Sequence, residues 1–357
     1  MPPLLHCRGG MPYEQFLMGY YILKRLVFMV IVLWILTMVT FFLTTIAPSD
    51  PAGLWVGPRP KPGQLEKARQ QLGLDKPAHV RYVIYLKNLT RGDFGVSIRT
   101  RQPVAEELKR YFAATIELVT VAIFISLLVG IPLGVYTAFR RESLADHGGR
   151  IFSLMGVAVP IFWLGMMFQL TLSSGMELLP LQGQMSSMVM LSDPLRSITG
   201  FYLFDALITG NWVAFKDLVM HMILPAVTLS FASLAFIVRI TRSSMIEVMN
   251  EDYIRTAKAY GLGNRLIRYK YALKNGLIPV VTVTGLSYAY ELGGSILVEN
   301  IFDWPGMGRF MWLSIINNDY PGIMGVTIIF AIICCTINLL VDLVYALIDP
   351  KVRIAGT

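Results

Sequence analysis

The sequence has little charge for its length. Only 15% of its 357 residues are charged, whereas 55% are hydrophobic, and the mean hydropathy is +0.57. A soluble domain of this size carries closer to a quarter charged residues. This composition is poorly suited to water and indicates a membrane protein.

Motifs for catalysis and cofactor binding are also missing. No Gly-x-x-x-x-Gly-Lys-Ser/Thr occurs, so the chain has no loop that could cradle the phosphates of ATP. Cys7 lies near the N-terminus and Cys334 and Cys335 are adjacent, which gives no disulfide framework. No His/Glu metal pair or Ser–Lys arrangement is evident in the apolar segments. We expect no catalytic residue and no metal or cofactor bound by this chain, and an intramembrane enzyme is a weak alternative.

Long apolar blocks are what the sequence does contain. A bilayer core roughly 30 Å thick needs about 20 apolar residues in a helix. Because backbone polar groups in lipid must be satisfied internally, these blocks predict helices; the alternation typical of β-barrels is absent. We predict an all-α integral membrane protein with six transmembrane helices and both termini in the cytoplasm. The blocks lie at 26–47, 115–139, 151–172, 223–240, 277–298 and 323–346.

The net charge of +8 follows the predicted topology. Sixteen Lys and Arg residues fall in the predicted inner segments, against three in the two later outer loops. This is the positive-inside bias; the first outer segment is too long for the rule to apply. We therefore expect contact with membrane lipid and no binding of nucleic acid.

The chain divides into a short series of predicted segments. Two short helices are predicted in the outer segment, at 62–72 and 82–89. In the second span, Gly130 and Gly134 form either a small-xxx-small pair for close helix packing or part of a simple Pro kink. The segments are an N-terminal tail at 1–20, a first transmembrane helix at 21–47, an extracytoplasmic segment at 48–113, a transmembrane domain at 114–346 with a cytoplasmic loop at 241–276, and a cytoplasmic tail at 347–357.

The cytoplasmic loop contains an amphipathic pattern. No Gly or Pro occurs from Ile246 to Tyr260, and Gly261 follows as a helix-terminating residue would. Such a helix either lies on lipid headgroups or docks in a groove of a cytoplasmic protein. Docking is favoured because acids and bases alternate beside the stripe, and because the small Ala257 would permit close approach. The predicted apolar stripe is Ile246, Met249, Tyr253, Ala257 and Tyr260.

Residues 251–262 resemble the EAA loop of ABC importer permeases. The match is to the dipeptide/oligopeptide branch, in which Arg255-Thr256-Ala257 stands where other importers have Glu-Ala-Ala. Leu273-Lys274 departs from the Leu-Pro that closes the motif elsewhere. The resemblance implies a coupling helix that inserts into an ATPase subunit. Its residues are Glu251, Asp252, Tyr253, Arg255, Thr256, Ala257, Lys258, Tyr260, Gly261 and Leu262.

Other segments follow the same family in order along the chain. Ala47–Pro51 is similar to the Pro-Gly-Asp-Pro after the first span, with Ser49 in place of Gly. The segment 299–309 is similar to the outer loop before the last span. Within the branch, the chain looks most like the dipeptide permease. The remaining matches are 72–77, 92–97, 319–321, 338–342 and 349–353.

The resemblance implies a fold, a location and a set of partners. The fold is the type I ABC importer permease fold, in the cell inner membrane. The chain would be a non-catalytic translocation subunit that works with a second homologous permease, two ABC ATPase subunits carrying ATP and Mg²⁺, and an extracytoplasmic peptide-binding protein. The cargo would be di- or oligopeptides, with nickel, haem, glutathione or an oligosaccharide as alternatives.

Polar and small residues inside the spans are candidates for the translocation path, because ionisable groups there are costly and usually face a bundle interior. Glu291 either meets a peptide ammonium group or forms a structural hydrogen bond. Asp342 is expected to pair with a basic residue of the inner loop, and Asn338 to join helices. Gly293 and Gly294 either permit close packing or mark a gate. An ion channel or proton-coupled carrier is a thinly supported alternative, because the two acids Glu291 and Asp342 are well separated and do not form a charge relay.

Overall fold

The computed structural model describes residues 13–46, 50–57 and 59–348, with backbone only for 13–21 and 345–348. Over these ranges the chain is helical, with one isolated β-bridge between Val96 and Pro103. The all-α prediction is confirmed. Cys7, the segment 47–49 with Ser49, and the motif 349–353 lie outside the described residues.

The helices vary from three to 37 residues in length. Two π-helical segments, Gln169–Gly175 and Ile267–Ala272, extend α7 and α12. The α-helices are α1 (Tyr13–Ile46), α2 (Pro51–Val56), α3 (Gln64–Gln71), α4 (Ala78–Leu89), α5 (Val104–Phe139), α6 (Leu144–Ala158), α7 (Ile161–Phe168), α8 (Ser187–Ser192), α9 (Tyr202–Thr209), α10 (Trp212–Val248), α11 (Asp252–Ala259), α12 (Asn264–Leu266), α13 (Leu273–Gly276), α14 (Ile278–Ile301), α15 (Met307–Ile316) and α16 (Tyr320–Ile348).

Four helices are long and apolar enough to cross a membrane: Ile22–Ile46, Val104–Phe139, Trp212–Val248 and Tyr320–Val344. They match predicted spans one, two, four and six. The predicted third span, 151–172, lies within a bent pair of helices, α6 and α7, with an angle of 103° at the break near Pro160. The first residues of α6, 144–150, precede that span. Helix α14 occupies the position of the predicted fifth span, but it is not among the helices that are long and apolar enough to cross a membrane. Composition thus supports up to five spans in the described chain, and six stays a prediction.

Several predicted boundaries shift. Helix α1 begins at Tyr13, within the segment predicted as a tail at 1–20. Helix α5 begins at Val104, so the second span's helix extends into the predicted outer segment. The two short helices predicted there are present as α3 and α4. For both α1 and α5, the helix extends past the apolar block, because an apolar block marks the part of a helix that contacts lipid and not the end of the helix.

The centre of the domain is the packing of α5 against α10. A Cβ atom added at Gly130 would lie 2.9 Å from Ile237 Cγ2, and one added at Gly134 would lie 2.5 Å from Thr241 Cβ. The small-xxx-small prediction is therefore confirmed, because no larger side chain fits between these helices. Above the glycines, a core cluster contains Leu118, Ala122, Leu229, Phe302 and Trp304.

Replacing Gly134 with Val is expected to destabilise the domain by about 1–3 kcal/mol, the usual cost of overpacking. The added side chain would collide with the backbone carbonyl of Val238 as well as with Thr241. Thermal unfolding in detergent measures the effect. Gly148→Ala is the matched control, because nothing lies within 4 Å of its added Cβ. Equal stability of the two variants would mean that the helices are not in close contact.

Candidate functional site

The cytoplasmic loop forms two helical arms. The first arm is α11, and the second arm consists of α12, the π-helical segment Ile267–Ala272 and α13. Residues 249–251 lie between α10 and α11. Asn250 Nδ2 donates to the carbonyl of Ile246 at 3.0 Å, which satisfies one of the last carbonyls of α10. Glu251 is extended. The predicted continuous helix from Ile246 to Tyr260 is therefore wrong.

The break changes which side chains of α11 face inward. Ile254 and Ala257 are buried, whereas Tyr253 and Tyr260 are 38% and 83% exposed. Ala257, which we expected on the docking face, faces the transmembrane domain instead. The turn at 249–251 separates Ile246 and Met249 from the rest of the predicted stripe, and within α11 the buried face is formed by Ile254 and Ala257.

The inner face of α11 is fixed to the rest of the chain by a hydrophobic cluster, here called the inner cluster. It joins α11 to the inner ends of α5 and α10 and to the second arm of the loop. Leu262 and Leu273 pack against its edge. Helix α11 is therefore packed against the ends of two long helices. The buried members of the inner cluster are Val135, Met245, Ile254, Ala257, Ile267 and Ala272.

Helix α11 ends at Gly261, as predicted. The Gly261 N–H donates to the carbonyl of Lys258 at 3.0 Å, and the Leu262 N–H donates to that of Ala257 at 3.2 Å. This is the Schellman arrangement, and it requires the positive φ of +73° that Gly261 has. Glycine is needed here for backbone conformation, because nothing lies within 4 Å of an added Cβ.

The face of α11 opposite the inner cluster, here called its outer face, is exposed in the described part of the chain. The Tyr253 hydroxyl accepts a hydrogen bond from Asn275 Nδ2 at 2.8 Å, which ties it to the second arm. Tyr260 projects from the end of the helix. A large aromatic side chain left this exposed is typical of a contact surface. The exposed residues of the motif are Glu251, Asp252, Tyr253, Arg255, Thr256, Lys258, Tyr260 and Gly261.

A buried carboxylate lies beside this loop, in the short inner connection between the second and third spans. Asp146 is fully buried and accepts hydrogen bonds from Arg242, from Arg150 Nη2 at 2.8 Å and from the Glu142 N–H at 3.0 Å. The guanidinium of Arg242 holds the pKa of Asp146 well below its usual range. Sequence reasoning missed this residue, although an Asp in the first turn after the N-cap Ser143 was a usable signal.

The five residues predicted for the translocation path are not brought together. Asp342 pairs with Arg25 Nη1 at 3.1 Å, so pairing is confirmed but the partner lies on α1 and not in the inner loop. Glu291 is buried, and within the described chain neither carboxylate oxygen has a hydrogen-bond partner. Its nearest polar neighbour is the Ser233 hydroxyl of α10, so Glu291 faces a neighbouring helix as predicted but forms no regular hydrogen bond with it. Gly285 of α14 packs against Val341 of α16. Asp342 therefore lies about 9 Å from Glu291 along the bundle, toward the inner end of α16.

The other path candidates have simpler surroundings. Asn338 is exposed on this chain, so it does not join two of the chain's own helices as predicted. Nothing lies within 4 Å of a Cβ added at Gly293. Gly294 packs near Leu229 Cδ1, at 3.5 Å from its added Cβ. Close packing thus holds for Gly294 and not for Gly293.

The outer motif at 299–309 is organised by one buried carboxylate. Glu299 accepts from Thr115 Oγ1 at 2.6 Å and from the Arg309 N–H at 3.0 Å, which caps the N-terminus of α15. A Cβ added at Gly306 would lie within 2.5 Å of this carboxylate, and one at Gly308 would meet the backbone of Ile296 at 2.6 Å. The glycines of the motif are therefore needed for the close approach of α15 to α14.

Comparison with known proteins identifies the family of this chain. A family model described as the binding-protein-dependent transport system inner membrane component matches residues 130–354. The corresponding N-terminal model for such membrane components matches residues 18–120. The chain belongs to this family. The first match includes α11, its inner cluster partners on α10, and the outer motif.

Individual relatives of this inner membrane component are similar over nearly its whole length. The probable D,D-dipeptide transport system permease protein DdpB of Escherichia coli K12 is 43% identical over 318 residues, which are 89% of this chain and 93% of that protein. The dipeptide transport system permease protein DppB of Alkalihalophilus pseudofirmus is 40% identical over 333 residues, 93% of this chain and 99% of that protein. The di/tripeptide transport system permease protein DppB of Pseudomonas aeruginosa is 38% identical over 334 residues, 93% and 98% respectively.

Family membership confirms the resemblance predicted from the ordered motifs. The chain is an inner membrane component of a transport system, which agrees with its predicted location and with its role as a permease component. The long apolar helices fit a multi-pass protein of this kind.

Proposed function

We propose that this permease passes short peptides across the inner membrane, driven by ATP that partner subunits hydrolyse. One observation carries the mechanism. Helix α11 presents an exposed outer face, while its inner face is fixed to the ends of α5 and α10 through the inner cluster. A protein that docks on the outer face and changes shape would therefore move two long helices with it.

The partners follow from the family and from the motifs. We propose two ABC ATPase subunits, which bind ATP and Mg²⁺, a second homologous permease, and an extracytoplasmic binding protein that delivers the cargo. This chain itself is proposed to bind no nucleotide, metal or other cofactor and to catalyse no reaction. ATP needs only to favour one state of a two-state bundle for the pore to open alternately to each side.

Peptide cargo is proposed from the relatives, whose names specify dipeptides or di- and tripeptides. The alternative cargoes are nickel, haem, glutathione and an oligosaccharide. Binding measurements on the cognate binding protein decide between them. A protein that binds di- and tripeptides supports the proposal, and one that binds only an alternative cargo contradicts it.

The proposed docking face is tested by replacing Tyr260 with Ala in the assembled transporter. Aromatic residues at the centre of an interface commonly contribute 2 kcal/mol or more, so we expect ATP-driven peptide uptake to fall by at least about tenfold. Uptake into proteoliposomes and co-purification of the ATPase subunits measure the effect. A Cys at this position is expected to cross-link to an ATPase subunit.

Leu191→Ala is the matched control for Tyr260→Ala, because Leu191 is 85% exposed but lies in the outer loop between the third and fourth spans. It is expected to leave uptake and ATPase association unchanged. Normal uptake by the Tyr260 variant, with no cross-link from position 260 to an ATPase subunit, would contradict docking through α11.

A further inference from the structure

A cavity of about 610 Å³ lies where the broken third span meets α10 and α14. Pro160, at the 103° bend, forms one wall. Ser233 and Arg239 of α10 form a second wall, and Ser287 and Tyr290 of α14 form a third. None of these residues belongs to the coupling motif or to the path predicted from sequence.

The outer end of this cavity contains polar groups without partners. Ser233 lines the cavity and is 3% exposed, and its hydroxyl has no hydrogen bond in the part of the chain that the structure describes. Glu291 lies one helical turn from the cavity-lining Ser287, on the same face of α14, and near Ser233. Its two carboxylate oxygens are equally without partners among the residues described. Burying such groups unpaired costs free energy, which a ligand that supplies donors would recover.

The inner end of the cavity carries a cation. Arg239 lies over the ring of Phe236, with its guanidinium carbon 4.7 Å from the ring centroid. It forms no ion pair with any acidic side chain that the structure describes. Arg239 lies six positions after Ser233 on α10, which corresponds to about 9 Å along the helix axis. An extended di- or tripeptide spans about 7–10 Å.

We infer that this cavity is a transit site for a short zwitterionic peptide, with the ammonium group at Ser233 and Glu291 and the terminal carboxylate at Arg239. The inference rests on the proposed function and adds the residues that recognise the peptide inside the membrane. A single unpartnered charge would fit many ligands, but Arg239 in the wall and the carboxyl group of Glu291 buried beside Ser233, separated along the cavity by about the length of a short peptide, select this class. Because α10 runs from the outer to the inner side, the peptide is held with its carboxylate end inward.

The test uses the complete transporter in proteoliposomes, with trialanine as the transported peptide. Glu291→Gln and Arg239→Gln are each expected to reduce uptake by about tenfold or more, as loss of a charged hydrogen-bonding group would, while ATP hydrolysis continues. Glu291→Gln removes a buried charge without changing shape, so it is expected to fold. Glu107→Gln is the matched control, because Glu107 is also a buried glutamate with an unpartnered oxygen but lies at the outer start of α5.

A second measurement does not depend on the rate of uptake. Cys introduced at Ser233 is expected to react with a small thiol reagent, and trialanine with the loaded binding protein is expected to slow that reaction. Arg239→Lys, which keeps the cation, is expected to retain most uptake. Unchanged uptake by Glu291→Gln, or thiol labelling that trialanine does not slow, would overturn the inference and indicate that lipid or a helix of the second permease fills the cavity. A wild-type complex that accumulates no trialanine would instead overturn the proposed function.

Discussion

Replacing Asp146 with Ala is expected to lower the free energy of unfolding by about 3 kcal/mol, at the low end of the range for breaking a buried ion pair. The carboxylate is fully buried and holds both Arg242 and Arg150. Without it, Arg242, whose side chain is only 19% exposed, loses its charged partner. Thermal or denaturant unfolding of the purified transporter measures the loss.

Two further variants test whether the loss of stability comes from the buried ion pair. Arg69→Gln breaks the half-exposed pair of Arg69 with Asp50 and is expected to cost no more than about 1 kcal/mol. Combining Asp146→Leu with Arg242→Met replaces the buried pair by apolar groups and is expected to restore much of the lost stability. An Asp146→Ala variant as stable as Arg69→Gln would mean that the carboxylate is solvated.

The pH dependence of the pair has a definite sign. Hydrogen bonding to Arg242 depresses the pKa of Asp146 on folding. A carboxyl with a depressed pKa stabilises the fold at all pH values above its unfolded pKa, and the contribution is lost as pH falls through the folded value. The stability difference between wild type and Asp146→Asn should therefore stay constant near neutral pH and narrow only in strong acid. A difference that narrows already near neutral pH would point to a histidine instead.

Local signals made the overall architecture predictable. Apolar length fixed the long helices, and the ordered motifs fixed the family, because both are properties of contiguous sequence. Gly261 was also predictable, since a positive φ after a helix has few solutions other than glycine. For Gly130 and Gly134 the sequence left open a close-packing pair or a simple Pro kink, and the close approach of α10 supports the packing pair.

Errors arose where one residue changes the phase of a helix or where the partner is distant in sequence. The helix is interrupted at Asn250, so the predicted stripe from Ile246 to Tyr260 is not continuous, and Ala257 lies in the inner cluster and not on the exposed face. The acid Asp342 was correctly expected to pair, but its partner Arg25 lies on the first helix. No pattern in sequence alone joins such residues, because the contact depends on how α1 packs against α16.

The start of α6 and helix α11 both contact the same part of α10. Arg242 holds the buried Asp146 at the start of α6, and Met245, three residues later, packs in the inner cluster with Ile254 of α11. Residues three apart on a helix lie on neighbouring positions of one face. We therefore expect a displacement of α11 to reach α10 and, through Asp146, the broken third span that forms one wall of the cavity.

Replacing Ile254 with Ala is expected to uncouple ATP hydrolysis from transport. Ile254 is fully buried in the inner cluster, and removing it should cost about 2–5 kcal/mol, enough to release α11 locally from α5 and α10. Its exposed face would remain available to the ATPase subunits, so hydrolysis should continue while peptide transported per ATP falls. The ratio of uptake to phosphate release in proteoliposomes measures this.

The matched control for Ile254→Ala is Thr256→Ala, on the opposite, exposed face of α11, which should leave the number of peptides moved per ATP unchanged. Ile254→Val removes one methylene and should give an intermediate ratio, since that change usually costs only about 0.5–1.5 kcal/mol. If Ile254→Ala lowered hydrolysis and uptake in equal proportion, the buried face of α11 would serve docking alone. A graded fall in transport at constant hydrolysis would support coupling through the inner cluster, because the volume of the side chain at position 254 decreases in steps from Ile to Val to Ala while the exposed face of α11 is unchanged.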